Sequence, residues 1–189
     1  MTLPFFTVGH SNRSFEAFVE LLKLPQVQRV VDVRKMPMSR ANPQFNKDTL
    51  SGALAECQVS YEHIATLGGY RGKAVDLPPE VNGFWENRSF RNYADYSLSE
   101  PFRKGLERLI DEGRKWRCAI MCSEAVWWRC HRRLIADNLI ARDEAVFHIL
   151  GNNRIETARL TSGAVVRTDK TVIYPKMTGI APNLSQKNA

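Results

Sequence analysis

The fold of this chain is decided by residues 118–140, which read CAIMC-SEAVWWRCHRRL-IADNLI. Residues 118–121 form an apolar run that is typical of a buried strand. Residues 134–140 carry apolar side chains at the spacing of an amphipathic helix. Between these runs, residues 122–133 hold two thiols, a carboxylate, an imidazole and three guanidinium groups. A strand-to-helix junction leaves free backbone N–H groups that favour anions, so we expect a functional site here.

On both sides of this stretch, strand-like runs alternate with amphipathic helical patterns. We predict strands over residues 5–8, 30–33, 59–64, 118–121 and 145–149. Helices are predicted over residues 15–22, 47–57, 102–115 and 128–142, with a short helix near 90–96 inside an irregular segment, 65–98. The alternation predicts a three-layer α/β fold with about five mainly parallel strands and helices on both faces. A small C-terminal β addition is expected over residues 159–166 and 171–174.

The length of 189 residues favours one α/β domain, which we place at residues 1–175, followed by a polar and flexible tail over 176–189. There is no apolar run of about 18 residues, so no membrane span and no membrane partner are expected. The N-terminus lacks the basic and apolar regions of a signal peptide. Four cysteines are too few for a disulfide scaffold, and we expect reduced thiols in the cytoplasm.

The chain is basic, with a formal net charge of +7. This charge favours anionic partners such as nucleotides, phosphorylated metabolites or nucleic acid. The alternative is simply a soluble basic protein. Nucleic-acid binding is expected to be weak and salt-dependent, because no recognised reader motif is present.

Polar side chains gather at the predicted strand ends. Three of the four histidines lie there, and the fourth, His131, lies early on the helix that follows the fourth strand. In open parallel sheets, ligands bind beyond the carboxyl ends of the strands. We therefore expect one crevice that contains His10, Arg34, Glu124 and His131.

The candidate catalytic residues are His10, Cys122, Glu124 and His131. The imidazoles and the carboxylate are candidate general acids or bases. Cys122 is a candidate nucleophile, because a helix start and nearby arginines lower the pKa of a thiol. The alternative for Cys122 is a small buried side chain at a strand end. Cys57, on an apolar helix face, and Cys118, in a buried strand, are expected to be protected from reagents.

The candidate ligand-binding residues are Ser11, Asp32, Arg34, Ser39, Arg40, Tyr96 and Arg132. Arg34 can hold a carboxylate or phosphate while Asp32 orients it. Each has a structural alternative. Asp32 and Arg34 can form a buried ion pair that closes a strand end. Ser11 can cap a helix, and residues 38–45 can be an ordinary loop.

A metal site at Cys122, Cys130 and His131 has the right donor types. The spacing matches no common zinc pattern. Adjacent residues on a helix also point about 100° apart, so Cys130 and His131 are not expected to face one ion. We therefore predict no metal, and the sequence identifies no cofactor.

Six short motifs in this order resemble the domain of unknown function 488 family: Gly9-His10-Ser11, Asp32-Val33-Arg34, Pro37-Met38-Ser39-Arg40 with Phe45, Leu67-Gly68-Gly69, Tyr93-Ala94-Asp95-Tyr96, and Cys122-Ser123-Glu124 with Cys130-His131-Arg132. The resemblance covers residues 5–175. The usual Cys-Ala-Glu triplet reads Cys-Ser-Glu here. The resemblance implies a bacterial or archaeal cytosolic α/β domain without an established activity.

A fainter likeness connects the chain to rhodanese-like domains, which also have Asp-x-Arg after an early strand and a cysteine before a later helix. Here six residues separate Cys122 from Arg129, and this spacing differs from the short rhodanese loop. The likeness is an analogy of fold only.

These features predict an enzyme that acts on an anionic ligand, a nucleotide or another phosphate-containing molecule. The alternative is a non-catalytic module that binds a nucleotide or nucleic acid. In that alternative the same arginines and aromatic side chains bind the ligand, and the cysteines are only packed. Catalysis requires a titratable group poised by its neighbours, whereas binding does not. The sequence leaves the oligomeric state open.

Overall fold

The sheet is the centre of the fold in the computed structural model, which describes residues 3–74 and 76–176. Its strands are β1 (Phe5–Gly9), β2 (Arg29–Asp32), β3 (Ser60–His63), β4 (Cys118–Cys122), β5 (Val146–Gly151) and β6 (Arg154–Thr157). Their order is β3-β2-β4-β1-β5-β6, and all neighbours are parallel except β5 and β6. The predicted α/β fold with a mainly parallel sheet is confirmed.

The strand β6 was not predicted and forms an antiparallel hairpin with β5. Asn152 and Asn153 at its turn have φ values of +50° and +55°, the left-handed region that two-residue hairpin turns require. All four β6 residues are exposed. Because neither face of β6 is buried, the strand lacks the alternating apolar pattern that marks a strand in a sequence.

Within the part of the chain that the structure describes, five α-helices cover the two faces of the sheet: α1 (Phe15–Lys23), α2 (Lys47–Glu56), α3 (Arg88–Tyr96), α4 (Glu100–Lys115) and α5 (Arg132–Ile140). One apolar cluster joins α1 and α2 to Ala119 and Met121 of β4. A second cluster joins α3, α4 and α5 to Ile120 and Cys122 of the same strand. The predicted helices on both faces are therefore confirmed. Among the described residues, no helix combines the length and apolar character needed to cross a membrane.

The C-terminal β addition is present as a separate antiparallel pair, β7 (Val165–Val166) and β8 (Val172–Ile173). It is attached to α5 through Asp137. The Asp137 carboxylate accepts hydrogen bonds from the Thr161 amide at 2.9 Å and from the Tyr174 hydroxyl at 2.8 Å. The tail predicted over residues 176–189 lies, apart from Lys176, outside the described residues.

The segments that follow the neighbouring strands β1 and β4 lead to opposite faces of the sheet. The segment after β1 leads to α1, and the segment after β4 leads to α5. The two strands end side by side, because Gly9 is in register with Cys122. Loops that separate in this way leave a crevice at the carboxyl ends of the strands. A Cβ atom on Gly9 would collide with the Glu124 carbonyl, so the residue here must be glycine for the loop to cross the end of β1.

The helix predicted over residues 128–142 is interrupted near its start. Residues Trp127–Arg129 form a short 3₁₀ helix, Cys130 is extended with φ −120° and ψ 147°, and α5 begins at Arg132. No glycine or proline marks the interruption in the sequence. Consequently Cys130 lies outside the helix and His131 is its N-cap residue, so the extended backbone of Cys130 lets its side chain depart from the helical direction.

Candidate functional site

A crevice of about 1100 Å³ opens at the carboxyl ends of β1, β2 and β4, and we call it the strand-end crevice. The predicted site residues that line it are His10, Ser11, Arg34, Ser39, Cys122, Glu124 and His131. The structure therefore brings together the four residues, from separate strand ends, that were expected to share one crevice. Their roles in binding or chemistry stay predictions.

Four predicted site residues do not line the strand-end crevice. Asp32 and Arg132 are buried behind its lining, where each holds a lining residue. Tyr96 is turned away, and its hydroxyl donates to the Thr66 carbonyl at 2.7 Å. Arg40 is exposed outside the crevice.

The guanidinium of Arg34 is held in place by several hydrogen bonds at the carboxyl end of β2. Its Nη2 donates to the Asp32 carboxylate at 2.6 Å and to the Phe45 carbonyl at 2.7 Å, and its Nε donates to Asp32 at 2.9 Å. The Tyr61 hydroxyl donates to the same carboxylate at 2.7 Å. The buried ion pair therefore exists, and Arg34 also lines the crevice. Of the five guanidinium N–H groups, one on Nη1 has no partner among the described residues.

His10 supports Arg34 through a neutral imidazole. Its Nδ1 lies 2.8 Å from the Ser11 carbonyl, which only accepts, so Nδ1 carries the proton. Its Nε2 accepts from Arg34 Nη1 at 3.3 Å. Burial lowers the pKa of His10 to about 4. Both nitrogens are engaged, so this geometry supports a positioning role for His10. Ser14, not Ser11, caps the following helix.

His131 presents its other nitrogen to two thiols. Its Nε2 lies 3.0 Å from the Val33 carbonyl and therefore carries the proton, which leaves a lone pair on Nδ1. Nδ1 lies 3.7 Å from Cys130 Sγ and 4.0 Å from Cys122 Sγ. A Cβ atom on Gly69 would lie 3.0 Å from Nδ1, so the glycine keeps that side of the ring open. We call Cys122, Cys130 and His131 the thiol–imidazole cluster.

The expectation that Cys130 and His131 point in different directions is wrong. It assumed a helix at both residues, but Cys130 has extended backbone and His131 precedes the first residue of α5. The three possible ligand atoms of the thiol–imidazole cluster all lie within 4.8 Å of one another.

The thiol that ionises more readily is that of Cys130, not that of Cys122 as predicted. Burial opposes ionisation of Cys130, but hydrogen bonds from Cys122 and Arg132 and the charge of Arg132 lower its pKa to about 6. Arg132 Nε donates to Cys130 Sγ at 3.2 Å. The hydrogen bond to Cys130 and burial raise the pKa of Cys122 to about 12. The sequence could not show this difference, because it depends on the inward direction of the Arg132 side chain.

Cys57 is exposed, contrary to the prediction that it is protected. Helix α2 buries Leu50 and Leu54, but it ends at Glu56, so Cys57 lies beyond its last turn. Cys118 is buried in β4 as predicted.

Positive charge dominates the lining of the strand-end crevice. Its charged residues other than histidine and cysteine are Arg34, Lys35, Arg71, Arg129 and Glu124. Arg71 donates to the Gly68 carbonyl at 2.8 Å and lies over the Tyr96 ring at 3.7 Å from its centroid. The sequence prediction missed Lys35, Arg71 and Arg129. For Arg71 the available signal was the run Gly68-Gly69-Tyr70-Arg71, which follows the predicted strand 59–64 after only three residues.

Apolar side chains are exposed at the mouth of the crevice. Met36, Met38 and Tyr70 are 73%, 69% and 88% exposed, and all three line it. A side wall is formed by Phe90 and Tyr93. The crevice therefore offers contact area for the uncharged part of a ligand next to its cationic groups.

The fold and this crevice define an α/β protein. Its candidate site lies at the ends of two neighbouring strands whose following segments lead to opposite faces of the sheet. The sequence profile of a family described as Domain of unknown function DUF488 matches residues 14–139, about two thirds of the chain. The chain belongs to this family. The match includes Arg34, Cys122, Glu124 and His131, whereas His10 precedes it. No curated protein and no solved structure matches this chain.

Proposed function

We propose that this protein is an enzyme that acts on an anionic ligand, a nucleotide or another phosphate-containing molecule, bound in the strand-end crevice. The observation that carries the proposal is the guanidinium of Arg34. Arg34 is 6% exposed, and Asp32 and Phe45 hold its guanidinium in place. Arg34 lines the crevice, and one N–H of its guanidinium has no hydrogen-bond partner among the described residues. A guanidinium held in place binds phosphate or carboxylate at a low entropic cost.

The rest of the lining supports an anionic ligand with an apolar or planar part. Lys35, Arg71 and Arg129 add positive charge, which raises the local concentration of anions. Tyr70 offers an exposed ring at the mouth, and aromatic rings stack on nucleobases. These two features together favour a nucleotide over a bare inorganic anion.

Catalysis is favoured over binding alone because groups able to do chemistry line the same crevice as the cations. Glu124 is an exposed carboxylate and a candidate general acid or base. Nδ1 of His131 faces Cys122, whose thiol lies beside it, while Nε2 is engaged by the Val33 carbonyl. In this proposal His10 and Asp32 position Arg34, and Arg132 positions Cys130. We place the protein in the cytoplasm, with a small anionic molecule as its partner.

Calorimetric titration with inorganic phosphate and with nucleoside mono-, di- and triphosphates tests the binding step. We expect nucleotide binding that Arg129→Gln weakens severalfold. Arg114→Gln, a matched change of an exposed arginine on α4, should leave binding unchanged. Labelled single- and double-stranded DNA and RNA at two salt concentrations test the nucleic-acid alternative. No binding of any anion at low salt would overturn the proposal.

Turnover separates an enzyme from a binding module. Each ligand that binds is incubated with the wild-type protein and with Glu124→Gln, and products are resolved by chromatography and phosphorus NMR. Turnover by the wild type that Glu124→Gln reduces supports the enzyme. Binding without turnover of any ligand in the panel would favour the non-catalytic module.

A further inference from the structure

We propose that Cys122, Cys130 and His131 form a binding site for one divalent metal ion of the zinc class, open to the strand-end crevice. The site goes beyond the anion-binding function, and its evidence does not depend on Arg34. The spacing of these three residues in the sequence matches no common zinc pattern, and for that reason no metal was predicted. In the structure, however, their side chains lie close together.

The spacing of the three donor atoms fits a tetrahedral ion. Zinc binds thiolate sulfur at about 2.3 Å and imidazole nitrogen at about 2.0 Å, so in a tetrahedral site a sulfur and a nitrogen lie about 3.5 Å apart and two sulfurs about 3.8 Å apart. His131 Nδ1 lies 3.7 Å from Cys130 Sγ and 4.0 Å from Cys122 Sγ. All three donor atoms lie within 4.8 Å of one another. To bind one ion, the nitrogen–sulfur distances must shorten by a few tenths of an ångström and the sulfur–sulfur distance by at most about 1 Å.

The imidazole of His131 is oriented as metal-bound histidines usually are. Such histidines donate their second N–H to a carbonyl or carboxylate, which fixes the ring and the tautomer. Here Nε2 donates to the Val33 carbonyl at 3.0 Å, and the lone pair of Nδ1 faces the two sulfurs. The arrangement holds a ligand nitrogen in place before any ion arrives.

The sulfur of Cys130 also has a supporting partner. Arg132 is 1% exposed and donates from Nε to Cys130 Sγ at 3.2 Å, while its Nη2 donates to the Glu124 carbonyl. N–H groups that donate to a ligand atom orient it and stabilise its charge. A buried guanidinium directed at a thiol is more than apolar packing requires.

The donor set determines the class of ion. Thiolate and imidazole ligands select zinc and similar soft or borderline metals, whereas magnesium and calcium require oxygen ligands. Three protein donors leave one tetrahedral position for water or a ligand, which is the ligand count of catalytic rather than structural zinc sites. All three residues line the crevice, and Gly69 keeps the space beside Nδ1 open. The free position would therefore be open to the strand-end crevice.

Cobalt substitution tests the site with a spectroscopic readout. The full-length protein is reduced, stripped with a chelator and titrated with Co²⁺ under anaerobic conditions, and then with Zn²⁺. We expect one Co²⁺ per chain, a thiolate-to-cobalt charge-transfer band and the intense visible bands of tetrahedral cobalt, all displaced by Zn²⁺. Cys57→Ser, which removes the exposed thiol, should keep these bands, and Cys130→Ser should lose the charge-transfer intensity of one thiolate.

A second measurement uses the wild-type chain, so it does not depend on whether a cysteine variant folds. Timed modification with a small thiol reagent, read by mass spectrometry, is compared with and without Zn²⁺. We expect Zn²⁺ to slow modification of Cys122 and Cys130 at least tenfold and to leave Cys57 unchanged. The proposal is overturned if fully reduced protein shows no charge-transfer band, if the bands depend on Cys57, or if Zn²⁺ protects neither cluster thiol.

Discussion

Nε2 of His131 donates to the carbonyl oxygen of Val33 at 3.0 Å, and this hydrogen bond joins the segment after β4 to the end of β2. The two residues are 98 positions apart, and they meet because β2 and β4 are neighbours in the sheet. The bond decides which ring nitrogen faces Cys122 and Cys130. A backbone carbonyl at the end of one strand thus selects the chemically available atom on another segment.

The open side of the His131 ring can be closed without removing a ligand. Gly69→Ala would place a Cβ atom 3.0 Å from Nδ1. We expect the affinity for Co²⁺ and Zn²⁺ to fall about tenfold, the lower end of what disturbing the surroundings of a metal ligand costs. Gly72→Ala is the matched control, because its Cβ would meet nothing within 4 Å. Equal affinities of the two variants in a competition titration with a chromophoric chelator would contradict the expectation.

The Arg34–Asp32 pair can be tested by two substitutions of different severity. Asp32→Asn removes the charge that faces a buried guanidinium, and breaking a buried pair in this way costs about 3–5 kcal/mol of unfolding free energy. Tyr61→Phe removes only one hydrogen bond to that carboxylate and should cost less, about 1.5–3 kcal/mol because the acceptor is charged. Urea unfolding measures both. Similar losses from the two variants would show that the ion pair is not the main stabilising contact.

Acid should destabilise the fold through His148, which is 1% exposed and stacks on Trp127 with 4.1 Å between ring centroids. Burial, with a contribution from the charge of Arg132, lowers its pKa from 6.5 to about 4. Below pH 6.5 the unfolded chain therefore binds a proton that the folded chain does not. Stability is lost as pH falls from about 6.5 to about 4, by on the order of 3 kcal/mol for this residue.

The measurement for His148 is urea unfolding at several pH values that span the two pKa values of about 4 and 6.5. His148→Asn removes the titrating group and keeps a polar side chain near Thr7, whose hydroxyl lies 2.7 Å from the ring. Its stability should fall less steeply with acid than that of the wild type. His10 also has a lowered pKa and remains in both proteins, so its contribution cancels in the comparison. Parallel curves would refute the assignment to His148.

Two glycines should respond to alanine in opposite directions. Gly9→Ala forces a Cβ atom against the Glu124 carbonyl and should cost about 1–3 kcal/mol, as overpacking does. Gly52→Ala, in α2, meets nothing within 4 Å and should stabilise by about 0.5–1 kcal/mol through helix propensity. Thermal unfolding ranks the three proteins. If Gly9→Ala is as stable as the wild type, the loop after β4 does not cross the end of β1 as closely as described.

The strands and their common edge could be predicted because they depend on local pattern. Apolar runs mark β1, β2 and β4, and the rule for parallel sheets then gathers His10, Arg34 and Glu124 at one edge. Strand β6 escaped prediction because both of its faces are exposed, which leaves no alternation to detect.

The chemistry of the cluster could not be predicted, because it depends on side-chain directions set by tertiary contacts. The interruption before α5 has no breaker residue, so Cys130 and His131 were expected to follow a helix. The preference for a thiolate at Cys130 rests on Arg132, which packs inward instead of facing solvent. Residue types indicated where reactive groups lie, but not which sulfur each neighbour contacts.

The position of β1 inside the sheet limits how far the chain can be shortened. The family match begins after β1 and ends before β5, yet β1 lies between β4 and β5. A fragment cut to residues 14–139 would leave one side of the central strand β4 without hydrogen-bond partners, which invites aggregation. It would also remove Tyr174 and leave the buried Asp137 carboxylate without that hydroxyl. The smallest fragment expected to fold and keep the crevice therefore extends from β1 through Tyr174.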